Sequence, residues 1–202
     1  MGQIIPFQVK ASAKTSPKRV TREKSAEKHG QLNLFLPSPK SIRLPSGFSP
    51  FEEAFRFDED GDPRAEDFYR TAIREGDSIA DAWCNLGIIE SRKGNTGGAF
   101  ECFTTSLQHN PLLFEAHYNI ANLYFDEENH RPAKVHYQLA LKINPAFPDL
   151  YLNLGLAQAM LGEHPDAIIS LTKFSELSPL GESNSINALV SELKGTANVR
   201  EV

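Results

Sequence analysis

The hydrophobic and polar positions of this chain repeat every 34 residues from residue 80 onward. Aromatic, aliphatic and small residues each return at this period, and a proline closes each unit. The sets are Trp83, His117 and Tyr151; Leu86, Ile120 and Leu154; Gly87, Ala121 and Gly155; Ala99, Ala133 and Ala167; Phe103, Tyr137 and Leu171; and Pro111, Pro145 and Pro179. Because these sets stay in register without an insertion, the sequence predicts three units, at residues 80–113, 114–147 and 148–181.

Each unit has the pattern of a helical hairpin. In the first unit, apolar residues at three- and four-residue spacing predict helices over 80–93 and 97–109. Lys93-Gly94-Asn95 predicts the turn, and Asn110-Pro111 ends the second helix because proline cannot continue the hydrogen-bond ladder. Gly87 allows the second helix to approach closely. A lone hairpin leaves an apolar face exposed, so the pattern predicts an all-α stack in which neighbouring hairpins cover each other.

The sequences on either side of the three units predict two end elements. Residues 49–79 form a degenerate repeat whose two apolar segments are separated by Asp60-Gly61-Asp62-Pro63. Residues 182–202 hold a capping helix and a C-terminal tail. We expect Ser183 or Ser185 to cap the start of this helix and Gly195 to lie past its end.

The first unit carries a known motif, in which a tryptophan is followed by Leu-Gly, by Ala-x-x-x-Phe and by a closing proline. It is present as Trp83-x-x-Leu86-Gly87, Ala99-x-x-x-Phe103 and Pro111. This motif resembles the tetratricopeptide repeat, and the resemblance covers roughly residues 51–181. Tyr124 keeps a further aromatic position of the pattern, whereas Glu90 departs from it. The resemblance implies a right-handed α-solenoid that binds a peptide or partner protein in a concave groove, with no catalytic role.

In such a groove the first helix of each unit faces the ligand. The expected groove residues are Asn85 and Ile88; Tyr118, Asn119, Asn122 and Phe125; and Asn153 and Leu156. An asparagine recurs at one position per unit, and its amide both donates and accepts hydrogen bonds, so it can pair with the main chain of an extended peptide. Alternatively, these amides cross-link adjacent helices, and the sequence leaves both interpretations open.

Acidic residues also recur, in the first turn of each first helix, at Asp81, Glu115 and Asp149. Stabilisation of the helix dipole, worth roughly 0.3–1 kcal/mol each, accounts for this placement. In either case the groove entrance is negative. The first helices lack the basic set with which chaperone-binding relatives clamp a C-terminal carboxylate, so we expect neutral or basic peptides. The chain's own basic tail is one candidate.

The tail, residues 1–48, differs from the repeats in composition and charge. Residues 1–50 hold nine Lys/Arg and two Asp/Glu, a balance of +7, whereas residues 51–202 hold twelve and twenty-four, a balance of −12. Low apolar content predicts that the tail is disordered or extended. Its cations could contact nucleic-acid phosphates, but the absence of interleaved aromatic residues argues against that role.

The tail contains Gln31-Leu32-Asn33-Leu34-Phe35, which resembles the pentapeptide by which bacterial replication and repair proteins dock on the sliding clamp. The resemblance implies that Gln31 bonds at one subsite while Leu34 and Phe35 fill an apolar pocket. Alternatively, Leu32 and its apolar neighbours pack on the first repeat as an N-terminal cap. Short motifs of this kind arise often by chance.

No other motif points to chemistry. The sequence contains no phosphate-binding loop and no nucleophile or zinc motif, so we expect no catalytic residue, cofactor or metal. Cys84 and Cys102 form no disulfide framework, and no apolar run is long enough to cross a bilayer, which together favour a cytoplasmic protein without membrane contact. Exposed solenoid ends leave self-association open.

Overall fold

The computed structural model describes residues 47–178 and 183–199, and these residues form nine α-helices. The helices are α1 (Pro50–Glu59), α2 (Arg64–Glu75), α3 (Ile79–Arg92), α4 (Thr96–His109), α5 (Phe114–Asp126), α6 (His130–Ile143), α7 (Pro148–Met160), α8 (His164–Leu177) and α9 (Ser183–Val199). The predictions made for residues 1–46, including the Gln31–Phe35 motif, lie outside the described residues. Pro179 does so too.

The helices pair into hairpins that stack along the chain. Each helix packs against its neighbours in sequence, so that α1 and α2, α3 and α4, α5 and α6, and α7 and α8 form four consecutive pairs. Gly94 makes the turn of the second pair at a φ of +77°, and Asn95 caps α4 by accepting the Gly98 N–H at 3.1 Å. The predicted all-α solenoid is confirmed.

Two glycines permit the close packing of the paired helices. A Cβ on Gly87 would lie 2.5 Å from Cε1 of Phe103, and one on Gly155 would lie 2.7 Å from Cγ of Leu171. Both distances are far below van der Waals contact. The second helix can therefore sit this close because the first helix has no side chain at that position.

The hydrophobic core is a row of four clusters, each shared by successive helices. The first joins α1, α2 and α3 around Tyr69, and the second joins α3, α4 and α5 around Phe103. The third joins α5, α6 and α7 around Tyr137. The fourth joins α7 and α8 to α9 through Val190 and Leu193. No hairpin buries its apolar face alone, as expected for a stack of repeats.

The capping helix differs from its prediction in its bounds. α9 runs from Ser183 to Val199, so Ser185 lies within its first turn and Gly195 lies inside the helix. A glycine inside a helix costs only about 1 kcal/mol relative to alanine, and a Cβ on Gly195 would meet nothing within 4 Å. The helix therefore continues past Gly195, so the prediction that Gly195 lies past its end was wrong. Of the two N-cap candidates, Ser183 and Ser185, the latter lies inside the helix.

Candidate functional site

The first helices of the hairpins lie side by side and contact one another directly. Asn119 of α5 donates from Nδ2 to Sγ of Cys84 on α3 at 3.7 Å, and Asn153 of α7 donates from Nδ2 to the Tyr118 hydroxyl on α5 at 3.2 Å. We call the surface formed by α3, α5 and α7 the inner face. In a curved stack of repeats, the surface where equivalent helices come closest is the concave one.

The predicted asparagines join neighbouring units. Asn85 donates from Nδ2 to the Tyr69 hydroxyl of α2 at 3.1 Å, while Asn119 and Asn153 make the contacts given above. Asn85 has no exposed surface, and Asn119, Asn122 and Asn153 are 2–6 % exposed. These hydrogen bonds join adjacent helices, as the interpretation of the asparagines as cross-links between helices expects.

A buried polar cluster lies between α5, α6 and α7. The Tyr137 hydroxyl donates to Oδ1 of Asn122 at 2.7 Å, and Nδ2 of Asn153 donates to the same oxygen at 3.2 Å. Burial is the largest influence on the pKa of Tyr118, and a hydrogen bond from the Asn122 side chain opposes it. Tyr118, Asn122, Tyr137 and Asn153 therefore form one buried network that joins α5, α6 and α7.

The remaining predicted groove residues lie in two settings. Ile88 belongs to the hydrophobic cluster of α3, α4 and α5, and the ring of Tyr118 packs 6.1 Å from that of Tyr137. Phe125 and Leu156 are partly exposed, and the Phe125 ring lies 5.0 Å from that of His130. The structure thus brings Tyr118, Asn122 and Asn153 together.

The carboxylates of the first helices act on the side chains of the inner face. Burial, and after it the charges of Glu115 and Asp81, raises the pKa of the Cys84 thiol. Burial and then the charge of Asp149 raise the pKa of Tyr118 to about 12. Three carboxylates, one each from α3, α5 and α7, therefore act on Cys84 or Tyr118.

The helices α3, α5 and α7 carry more acidic than basic side chains. They contain five carboxylates, at Asp81, Glu90, Glu115, Asp126 and Asp149, of which Glu90 forms an ion pair with Lys93 at 3.1 Å. Their one Lys or Arg is Arg92, and its guanidinium forms an ion pair with the buried Asp58 of α1. The helices that form this face are therefore net negative.

The cysteines are not poised for catalysis. Burial raises the pKa of Cys84 and also that of Cys102, the latter to about 11, so both remain protonated thiols at neutral pH. A thiolate, not a thiol, is the nucleophile and the metal ligand. Among the described residues, no group of three His, Cys, Asp or Glu side chains could hold a metal ion, and no helix is long and apolar enough to span a membrane.

Two features of the site escaped the sequence analysis. The 34-residue period placed Tyr69 and Tyr137 at one repeat position, but not the hydrogen bonds that their hydroxyls form with Asn85 and Asn122. His117 of α5 and His136 of α6 are paired at 3.2 Å through their Nδ1 atoms. Their 19-residue spacing is also that of Trp83 and Cys102, which share a surface cavity.

That cavity has a counterpart in another unit. It measures about 270 Å³ and is lined by residues of α2, α3 and α4, including Trp83, Glu90 and Cys102. The other, of about 460 Å³, is lined by Tyr151 and Leu154 of α7 and by residues of α8. Trp83 and Tyr151 hold the same repeat position, so the two cavities are equivalent places in different units. In the middle unit His117 and His136 hold the corresponding positions.

Comparison with known families identifies the middle of the chain. A family model described as "Tetratricopeptide repeat" matches residues 114–147, and one described as "TPR repeat" matches residues 133–162. Mouse "Tetratricopeptide repeat protein 8" is 27 % identical over 118 residues, which are 58 % of this chain and 22 % of the mouse protein. A UDP-N-acetylglucosamine–peptide N-acetylglucosaminyltransferase of Giardia intestinalis is 33 % identical over 69 residues, which are 34 % of this chain and 5 % of that enzyme. The chain thus spans about a fifth or less of the curated relatives it matches.

Solved structures show the same fold. A MamA crystal structure aligns with 72 % of this chain and 81 % of its own, with a TM-score of 0.61 and 22 % identity. The first TPR of Spaghetti (RPAP3), bound to the HSP90 peptide SRMEEVD, aligns with 59 % of this chain and 95 % of its own, with a TM-score of 0.53 and 19 % identity. At these identities the likeness concerns the fold.

Proposed function

Because this chain is a member of the tetratricopeptide-repeat family, we propose that it is a non-catalytic scaffold that binds an extended segment of a partner protein along its inner face. The observation that carries the proposal is the charge of that face. Asp81, Glu115 and Asp149 recur at one position of successive units, and α5 and α7 contain no Lys or Arg. A face of this kind attracts a segment of opposite charge.

The charge also indicates which ligands the face disfavours. The peptide bound by the Spaghetti repeat domain, SRMEEVD, has three acidic side chains and one arginine. In this chain Arg92 is the sole Lys or Arg of α3, α5 and α7, and it is already paired with Asp58. An acidic peptide would meet like charges, which cost affinity. We therefore propose that the natural ligand is basic or uncharged.

Asparagines of the first helices would favour an extended ligand. An amide both donates and accepts hydrogen bonds, so it can pair with a peptide main chain whatever the peptide's side chains. The ladder prediction for Asn85, Asn119 and Asn153 stays part of the proposal, because peptide contacts and contacts between units can be made by the same amide.

Peptide titrations test this function. Three fluorescent peptides of equal length, one basic, one uncharged and one the sequence SRMEEVD, are titrated with the full chain and followed by fluorescence anisotropy. We expect the basic peptide to bind most tightly and to lose affinity as salt rises from about 50 to 500 mM, since salt screens exposed charges. Tightest binding of SRMEEVD, or basic-peptide binding that is insensitive to salt, would contradict the proposal.

A second candidate function rests on the Gln31–Phe35 motif. We propose that this segment, if it acts as the pentapeptide it resembles, tethers the scaffold to a bacterial sliding clamp in the cytoplasm. Size-exclusion chromatography of the full chain with a purified clamp tests this. We expect a complex that Leu34→Ala with Phe35→Ala abolishes and that Ile42→Ala, outside the motif, leaves intact. A complex unaffected by the first variant, or no complex at all, would dismiss this candidate.

A further inference from the structure

The same chain holds a segment whose charge matches the inner face. Residues 10–28 carry seven cations and two acids: Lys10, Lys14, Lys18, Arg19, Arg22, Lys24 and Lys28, with Glu23 and Glu27. We propose that this segment binds the inner face of its own chain, with its cations opposite Asp81, Glu115 and Asp149, and that partners must displace it. The inference rests on the proposed function, since it names a first occupant for the same face.

The start of the described chain lies beside the acidic end of the inner face. The Phe51 N–H in the first turn of α1 donates to Oδ2 of Asp77 at 2.9 Å, and Asp77 lies two residues before the start of α3. The residues before α1 therefore leave the solenoid near the N-terminus of α3, whose first turn carries Asp81. Glu115 and Asp149 lie in the first turns of α5 and α7, so the three acids share this edge.

The chain between the basic segment and α1 is long enough to let the segment reach across the inner face. Residues 29–49 separate the basic segment from α1, and this many residues span at most about 70 Å when fully extended. Packed helices lie roughly 8–10 Å apart, so the three first helices cover a few tens of ångströms. The segment can therefore reach all three acids from its attachment point.

Attachment in the same chain makes even weak binding effective. A segment tethered by a short linker has an effective concentration on the order of a millimolar near its site. If the untethered segment binds the face with a Kd of about 100 μM, this effective concentration would raise the apparent Kd of a competing peptide roughly tenfold. The basic segment would thus select for partners that bind the face more tightly than it does itself.

A trans-peptide titration tests the inference in the full chain. The probe is a fluorescent synthetic peptide of residues 10–28. The test variant carries Lys14→Gln, Lys18→Gln, Arg19→Gln and Arg22→Gln, and the control carries Lys40→Gln and Arg43→Gln, two cations outside the segment. We expect the probe to bind the test variant at least tenfold more tightly than the wild type, and the control to behave as the wild type. Equal binding to wild type and test variant, or binding to neither, would overturn the inference.

The outcome separates this inference from the proposed function. If an unrelated basic peptide binds the wild type while the trans peptide gives equal affinities, the face binds peptides but the segment does not occupy it. Zero-length carbodiimide cross-linking supplies a measurement that uses no variant. We expect amide links within one chain from lysines of 10–28 to Asp81, Glu115 or Asp149, shown by mixing isotope-labelled and unlabelled chains. Links confined to carboxylates of the second helices, such as Asp166, would overturn the inference.

Discussion

Nδ1 of His117 on α5 lies 3.2 Å from Nδ1 of His136 on α6, and Nε2 of His117 lies 3.2 Å from the carbonyl oxygen of Pro111. Because a carbonyl only accepts, Nε2 of His117 carries the proton, and its Nδ1 must accept from Nδ1–H of His136. Burial lowers the pKa of both imidazoles, and burial followed by the charge of His117 lowers that of His136 to about 4. The pair is stable as two neutral rings.

The pair predicts that acid destabilises the stack. In the unfolded chain each histidine binds a proton near pH 6.5, whereas folded His136 does so near pH 4. Between these values the unfolded state binds more protons, so the free energy of unfolding falls as pH falls from about 6.5 to 4. Urea denaturation at several pH values measures this. The variant His136→Gln should show a flatter dependence than the wild type, and His109→Gln, exposed in α4, should not. Equal slopes for all three chains would refute the assignment.

The close approach at Gly155 predicts a cost for adding a methyl group. Gly155→Ala would place a Cβ 2.7 Å from Cγ and 3.3 Å from the backbone nitrogen of Leu171, which is fully buried. Because α8 must move, we expect a loss of about 1–3 kcal/mol in the free energy of unfolding. The control is Gly97→Ala in α4, where a Cβ meets nothing within 4 Å and helix propensity predicts a gain of up to about 1 kcal/mol. An unchanged free energy of unfolding in Gly155→Ala would show that α7 and α8 separate easily.

The polar cluster predicts that loss of the Tyr137 hydroxyl lowers the free energy of unfolding more than loss of the Tyr151 hydroxyl. Tyr137→Phe removes the hydroxyl that donates to the buried Oδ1 of Asn122, which keeps its bond from Asn153, and we expect a loss of about 0.5–1.5 kcal/mol in the free energy of unfolding. Tyr151→Phe removes a hydroxyl that donates to the exposed Pro145 carbonyl and should cost less than about 0.5 kcal/mol. Thermal and chemical denaturation compare the two variants. Equal losses would argue against a special role for the cluster.

The fold could be predicted because small and large side chains recur at fixed positions of the repeat. Gly87 and Gly155 face Phe103 and Leu171 in the structure, and both pairs hold fixed positions of the 34-residue period. The end of α9 could not be predicted in the same way. Gly195 is a helix-ending signal in sequence, but at an exposed position its small cost does not stop a helix that packs through Val190 and Leu193.

The sequence predicted where the asparagines of the candidate site lie but not their hydrogen-bond partners. The period places Asn85, Asn119 and Asn153 on equivalent turns. Asn119 and Asn153 donate to Cys84 and Tyr118, which hold one repeat position 34 residues apart, whereas Asn85 donates to Tyr69. The position 34 residues before Cys84 is Pro50, whose side chain cannot accept a hydrogen bond. Hydrogen bonds between units are therefore a property of pairs of repeats, which the consensus of a single repeat does not contain.

The central claim, that the acidic inner face binds a basic or uncharged peptide, is tested most directly by one matched pair of charge reversals. Asp149 and Asp166 both lie exposed in the first turn of a helix, the former on α7 of the inner face and the latter on α8. Asp149→Lys and Asp166→Lys therefore cost the helix dipole about the same. We expect Asp149→Lys to weaken binding of the basic peptide at least tenfold, about 1.4 kcal/mol, and Asp166→Lys to leave it unchanged. Equal effects of the two variants would contradict the account.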